Sequence, residues 1–147
     1  MKLEDIKDYF KQQPLMYLAT TEGEQPRVRP MALIYHKDTC WCCSISGRPK
    51  IKQMIENDKI EFAVNAHDRE EFSTIRGSGT AVLIEDQEMR KDLSEAINWF
   101  SGYWKSYDDP DFTLFRLDLE RIEVQIPVIR EFHIFDLKKN TVEIEKK

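Results

Sequence analysis

Arg27-Val-Arg-Pro-Met31, followed by Cys42-Cys-Ser-Ile-Ser-Gly-Arg-Pro-Lys50, reads as a strand pair running into a short helix. Pro49 suits the first helical position: its fixed φ is helical, and the N–H it lacks has no intrahelical partner there. Ser46 or Gly47 then caps or precedes the helix, leaving backbone N–H groups pointing out of its positive end. Lys50 and Arg48 share that turn, and a strand brings Arg29 alongside. Together they make a clasp for a dianionic phosphate. The same residues also fit a solvated basic edge beside a hairpin.

Upstream, Leu3, Ile6 and Phe10 recur at helical spacing until Pro14, which predicts an amphipathic helix over residues 3–12. Leu15 to Thr21 reads as a buried strand, Glu22-Gly-Glu-Gln-Pro26 as a turn, Arg27 to His36 as a second strand and Cys40 to Ser46 as a third. Their short connections predict a three-strand antiparallel meander. Downstream, Pro49 to Asn57 is a helix with Ile51, Met54 and Ile55 inward, and Lys59 to Asn65 alternates as a strand. Phe72 to Ile84 is a long strand whose Gly77 and Gly79 predict a bulge or sharp curvature of the kind a small closed barrel needs. Asp86 caps a helix over residues 87–100 that carries Met89, Leu93, Ile97 and Phe100 on one face. After the aromatic-rich stretch of residues 98–107 and the loop Asp108 to Asp111 come strands Phe112–Leu119, Arg121–Ile126, Glu131–Leu137 and Thr141–Ile144. With no repeat, linker or boundary, residues 1–147 read as one domain: α+β, mainly β, a barrel of antiparallel strands with two or three short helices.

Composition narrows the function. A net charge of −5 disfavours a general nucleic-acid surface, so the basic residues act locally. No apolar run approaches the roughly 20 residues of a membrane span, and the amphipathic N-terminus does not resemble a signal peptide. The expectation is a cytoplasmic protein with no membrane or nucleic-acid partner. Cys40, Cys42 and Cys43 cluster without a second ligand pair at metal spacing, so they read as small buried strand residues rather than a metal site or disulfide framework.

Three pieces in this order resemble a known family. They are Tyr17-Leu-Ala-Thr-Thr21 with Gln25-Pro-Arg-Val-Arg-Pro-Met31; Trp41-Cys-Cys-Ser44 with Lys50 and Met54-Ile-Glu-Asn-Asp58; and Ile75-Arg-Gly-Ser-Gly-Thr-Ala81 leading into Glu85-Asp86. From about Pro14 to Ile126 the chain resembles the FMN-binding split-barrel proteins related to pyridoxamine 5′-phosphate oxidase. The resemblance implies a Greek-key-like split β-barrel and a homodimer with two flavin sites at the subunit interface. It implies that Arg29 and Lys50 bind the FMN phosphate, joined by Ser44 and Arg48. Pro30, Met31 and Ala32 would touch the flavin ring and ribityl chain largely through backbone groups. Gln53 and Thr74 would stand near the ring, Thr74 where some members carry Gln. The vitamin oxidase is longer and ends in a basic motif that grips its substrate's phosphate. Nothing equivalent stands in Asp136 to Lys147, so pyridoxamine phosphate is not the expected substrate.

The implied activity is hydride or electron transfer through flavin N5, from a reduced nicotinamide-type donor to a small acceptor. A flavin- or haem-binding protein without turnover, and a deazaflavin-dependent reductase, are the other readings of the same fold. Trp99, Tyr103, Trp104 and Tyr107 read first as a packed helix end and dimer contact, with Trp104 the one expected to reach the ring from the partner subunit. His36, His67 and His133 are scattered, as ordinary hydrogen-bonding histidines are. Glu70-Glu71 and Asp108 to Asp111 read as solvated loop acids. No nucleophile elbow, Walker loop or dinucleotide fingerprint is present.

Overall fold

A computed structural model describes residues 1–68 and 71–147, which leaves Glu70 of the Glu70-Glu71 pair outside the described residues. Side chains that alternate between core and solvent dominate the sequence, and they build a nine-stranded antiparallel sheet. The elements are α1 (Leu3–Phe10), β1 (Leu15–Glu22), β2 (Gln25–Ala32), β3 (Ile34–His36), β4 (Thr39–Ile45), α2 (Pro49–Glu56), β5 (Lys59–Asp68), β6 (Glu71–Leu83), α3 (Gln87–Ala96), β7 (Phe112–Ile126), β8 (Glu131–Asp136) and β9 (Thr141–Lys146). A single 3-10 turn, Phe100–Gly102, follows α3.

The sheet path runs β2-β1-β5-β6-β7-β4-β3, with β8 and β9 added beside β7. Its two ends, β2 and β3, are separated in sequence only by Leu33, so the chain itself closes the barrel. Leu33 is buried, and its N–H donates to the Pro14 carbonyl at 2.9 Å. This replaces the expected continuous strand over residues 27–36 and the three-strand meander. β4 pairs with β7, from Cys40 opposite Leu117 to Ile45 opposite Phe112, and not with β2. The reason is visible in β4 itself. Cys40 and Cys42 pack into one hydrophobic cluster and Trp41 into another, so both faces are covered and the strand belongs inside the sheet.

The larger cluster fills the barrel around Ile6, Phe10, Leu18, Phe62, Ile75, Phe115 and Val124. The second joins α3 and the aromatic turn to the outside of β4 and β7 through Trp41, Leu93, Ile97, Phe100, Trp104, Phe112 and Leu114. The expected bulge lies between Ser78 and Gly79. There Ser78 pairs with Arg121 and Gly79 with Leu119, which makes Glu120 the extra residue and lets β7 continue as one strand where two were expected. A Cβ at Gly79 would sit 2.0 Å from the Asp118 carbonyl oxygen, so only glycine permits this approach.

Two helical faces are rotated from expectation. Ile55 is 59% exposed, and Gln53 takes the buried place beside Met54. Met89 is 42% exposed, and Arg90 is buried with Leu93. In both helices the buried stripe includes a polar side chain with internal partners, which an apolar periodicity cannot register. Asp86 caps α3 as expected, accepting from the N–H groups of Glu88 and Met89, but the helix ends at Ala96 rather than near residue 100.

Candidate functional site

β2 lies at one end of the sheet path, and where it turns into β3 a seam opens between it and the end of β4. A cleft of about 490 Å³ occupies that seam. Pro30, Met31 and Ala32 form one side; Cys43, Ser44, Ile45, Arg48 and Lys50 form the floor and end; Trp99, Tyr103 and Trp104 form the opposite wall. A second hollow of about 430 Å³ adjoins it, lined by Glu22, Arg27, Arg29 and Gln53 and sharing Arg48 and Lys50 with the cleft. Aromatic and apolar surface therefore passes directly into a concentration of cations.

Arg29 is held firmly. Its guanidinium donates to the Leu18 carbonyl at 3.1 Å, to Thr20 Oγ1 at 2.8 Å and to Gln53 Oε1 at 2.8 Å. All three acceptors are neutral. Burial and the charge of Arg27 press its pKa below the ordinary value, while Cys42 acts in the opposite sense. Lys50 is pressed downward too, by burial first and then by Arg29 and Arg48. Among the described residues no carboxylate pairs with Arg29, Arg48 or Lys50. Arg27, on the same strand face, is instead paired with Glu22 at 3.0 Å and is the solvated neighbour.

Pro49 is the first residue of α2 as expected, but the cap is Arg48 in an extended conformation with no side-chain capping bond. Ser46 is engaged elsewhere: its hydroxyl lies 2.8 Å from the Pro110 carbonyl and 2.6 Å from Thr113 Oγ1. Gly47 adopts φ +87°, a turn conformation open to glycine. The start of α2 thus faces the cations without a side chain of its own to satisfy it.

Gln53 stands at the cationic end rather than near the aromatic wall. Buried, it accepts from Arg29 and from Thr20 (2.6 Å) and donates to Glu22 at 3.3 Å. Thr74 lies in β6 between Asn65 and Gln125 and lines neither hollow. Ser44 is buried in the floor, its hydroxyl donating to the Ile45 carbonyl at 3.2 Å.

Trp104, expected to serve the partner's ring, walls the cleft of its own chain. Its ring is packed on Phe100 and Phe112 (centroids 5.2 and 4.9 Å), and its indole N–H donates to the Asp111 carbonyl at 2.8 Å. Trp99 donates to Gln13 Oε1 at 3.1 Å, and Tyr103 stands 62% exposed at the lip. Gln13 and the buried Arg90 were missed in the sequence. Arg90 donates to the carbonyls of Tyr107 (3.0 Å) and Asp109 (3.3 Å), fixing the loop that holds Trp104. Neither stands in a motif, so only the three-dimensional partners reveal them. His36 and His133 face carboxylates at 3.0 and 2.9 Å, His67 packs on Phe72, and none of the three lines the cleft. Burial pushes the Cys40 and Cys42 thiols up to about 12, so both are inert packing groups. The arrangement can hold a dianion at one end and a planar ring against Trp99 and Trp104 at the other.

Comparison with known proteins bears on the fold and the family. Among curated proteins none matches the chain. A NimC/NimA family protein from Clostridium acetobutylicum is 24% identical, with 97% of this chain and 93% of that one covered and a TM-score of 0.67. A protein related to general stress protein 26 from the same organism, of the pyridoxinephosphate oxidase family, is 17% identical over 95% and 96% of the two chains, with a TM-score of 0.77. A pyridoxamine 5′-phosphate oxidase-related, FMN binding protein from Nostoc punctiforme is 13% identical over 99% and 96%, with a TM-score of 0.74. These likenesses carry the fold, a split β-barrel. The sequence profile described as pyridoxamine 5′-phosphate oxidase matches residues 3–126, and on that match the chain belongs to the pyridoxamine 5′-phosphate oxidase family.

Proposed function

We propose that the protein binds FMN non-covalently and works as an oxidoreductase, passing a hydride from a reduced nicotinamide-type donor to a small acceptor. One observation carries the reading: Lys50, which lines both the cleft of about 490 Å³ and the hollow adjoining it, and Arg29, which lines that hollow, are partly buried and free of carboxylates among the described residues. Partly buried cations that meet only neutral acceptors and one another are poised for an anion. Arg29 and Lys50 are the phosphate ligands, with the Ser44 hydroxyl and Arg48 beside them. Gln53 positions Arg29 and does not touch the ring. Residues 30–32 offer the backbone of an edge strand to the ring's polar rim, and Trp104 and Trp99 cover its apolar part. FMN, when bound, supplies the hydride chemistry at its N5 position. The family match and the Nostoc protein's printed FMN binding support this choice of group.

The functional unit in this reading is a homodimer. Tyr17, Val28 and Pro30 lie on the outer side of the sheet, the side that also carries Arg76 and Thr74 through the pairings Tyr17–Ala63–Arg76 and Asn65–Thr74. Val28 is 67% and Tyr17 46% exposed, neighbouring apolar side chains on one face of the β1–β2 pair. A second copy on this face covers that surface and brings its Thr74 toward the cleft beside Pro30. Titration with FMN, read by flavin absorbance and fluorescence, tests the binding. Saturable uptake lost in the Arg29→Ala, Lys50→Ala double variant is the expected result, and equal uptake by that variant overturns the assignment. Oxidation of NADH or NADPH by the flavin-loaded protein, followed anaerobically, tests the activity separately.

A further inference from the structure

A third cavity, of about 280 Å³, lies at the N-terminal end of β4, away from the cleft at that strand's other end. Cys40 borders it, whereas Cys43 borders the cleft. Its floor is made by the bulge in β7. Because Glu120 is an extra residue, the in–out alternation slips by one, and Leu117, Leu119 and Ile122 all face the same space. Phe10 and Tyr35 form an aromatic notch on the other side, ring centroids 6.0 Å apart and tilted at 52°. Leu3 and Leu137 complete the apolar lining.

The rim is polar and narrowly defined. Lys37 and Asp38 both take left-handed backbone angles (φ 51° and 60°), the geometry of a tight hairpin turn, and this sets Asp38 at the mouth. Asp38 Oδ1 receives the Tyr35 hydroxyl at 2.6 Å and Lys7 Nζ at 3.0 Å. A carboxylate offers about four acceptor positions, so capacity remains for one more donor. The other acid at the rim, Asp118, is gripped by Arg116 through bonds of 2.7 and 3.1 Å. Each rim charge is thus already balanced, and an ionic ligand would disturb a pair in order to enter.

We propose that this cavity is a second ligand site, taking one uncharged bicyclic aromatic molecule with a single N–H or O–H donor, of the indole or naphthol type. Size sets the two rings: a dry apolar cavity of about 150 Å³ accommodates benzene, and this one is nearly twice that. The Phe10–Tyr35 notch suits a flat aromatic body, Asp38 receives its donor, and the balanced rim excludes charge. The site is independent of the cleft and of what the cleft binds.

Titration of the full chain with indole, followed by backbone amide chemical shifts, tests it. The expected result is saturable shifts at Cys40, Leu119 and Ile122 with a dissociation constant of roughly millimolar, ordinary for so small a ligand. Asp38→Asn weakens binding about tenfold, as loss of a charge-assisted bond does, and Leu137→Trp, which fills the cavity, abolishes it. Shifts confined to Ser44 and Trp104 in the cleft, or none up to the solubility of indole, overturn the proposal. So does undiminished binding by either variant. The map on the unsubstituted protein decides even if a variant fails to fold.

Discussion

Replacing Lys50 by Met should move two properties in opposite directions. In the flavin-free protein Lys50 is pressed below its ordinary value near 10.5 by burial and by Arg29 and Arg48, so its charged form is disfavoured in the folded state. Methionine keeps the apolar stem and removes the charge. Because Lys50 is still partly exposed and screened, the relief is small, a few tenths of a kcal/mol. The same substitution removes a charge-assisted bond to the phosphate, about 1.5–3 kcal/mol, which weakens FMN binding roughly 10- to 150-fold. The pH dependence follows from the same direction of shift. A lysine with a lowered folded pKa releases its proton earlier in the folded state than in the unfolded one. Flavin-free stability therefore rises with pH between that lowered value and about 10.5 in the parent, and less so in Lys50→Met. Urea midpoints of the flavin-free proteins and fluorescence titrations with FMN measure both. A flavin-free variant destabilised by about 1 kcal/mol or more, a typical cost for losing a structural contact, would show that Lys50 serves the fold. Unchanged FMN affinity would show that it does not serve the phosphate.

Three further outcomes are expected. Gly79→Ala places a Cβ 2.0 Å from the Asp118 carbonyl and should cost about 2–4 kcal/mol or prevent folding, while Gly102→Ala, with nothing within 4 Å, should shift a urea midpoint hardly at all. Native Cys40 and Cys42, their thiols pushed up to about 12, should resist iodoacetamide at mildly alkaline pH until the chain unfolds, which mass spectrometry of the digested protein checks. Val28→Glu, on the exposed sheet face, should leave the monomer folded, shift sedimentation toward monomer and weaken FMN retention in parallel. A monomeric variant that keeps its flavin would separate the site from the interface.

What the sequence disclosed follows from the range of the interactions involved. Local chemistry was legible: Pro49 at a helix start and Asp86 as a cap depend on neighbours a few residues away, and the glycine pair marked the bulge by residue type although its cause, the Asp118 carbonyl, lies across the sheet. The hairpin of β1 and β2 was equally readable. The turn over residues 36–39 that pairs β3 with β4 was readable as well. The longer partner of β4 was not, because antiparallel pairing with β7 spans some seventy residues, and a strand buried on both faces shows no alternation to orient it. The break at Leu33 was hidden for the same reason, since one buried leucine between two strands looks like a continuous run. In the site, the cations stood out by charge and spacing. Gln13 and Arg90 did not, and Gln53 was expected beside the ring rather than as the partner of Arg29. Each acts through hydrogen bonds to distant groups, and no periodicity encodes a hydrogen bond across 24, 86 or 17 residues.

The cleft is a consequence of how the barrel closes. Leu33 carries the chain from one end of the sheet to the other, and that crossing prevents the edge of β2 at residues 30–32 from pairing with β4. An unpaired edge is ordinarily an aggregation hazard; here Pro30 lacks the N–H that would extend the ladder, and α2 and the aromatic turn flank the opening. The walls are then fixed from four separate elements. Gln53 in α2 holds Arg29, Gln13 beyond α1 holds Trp99, the Asp111 carbonyl holds Trp104, and Arg90 in α3 holds the loop that carries Asp111. Pro30, Arg48 and Tyr103 are the exposed members of the cleft lining. A site braced on its inner walls and exposed at its lip suits the proposed function, in which a resident cofactor is held in one pose and a transient donor or acceptor exchanges at the mouth.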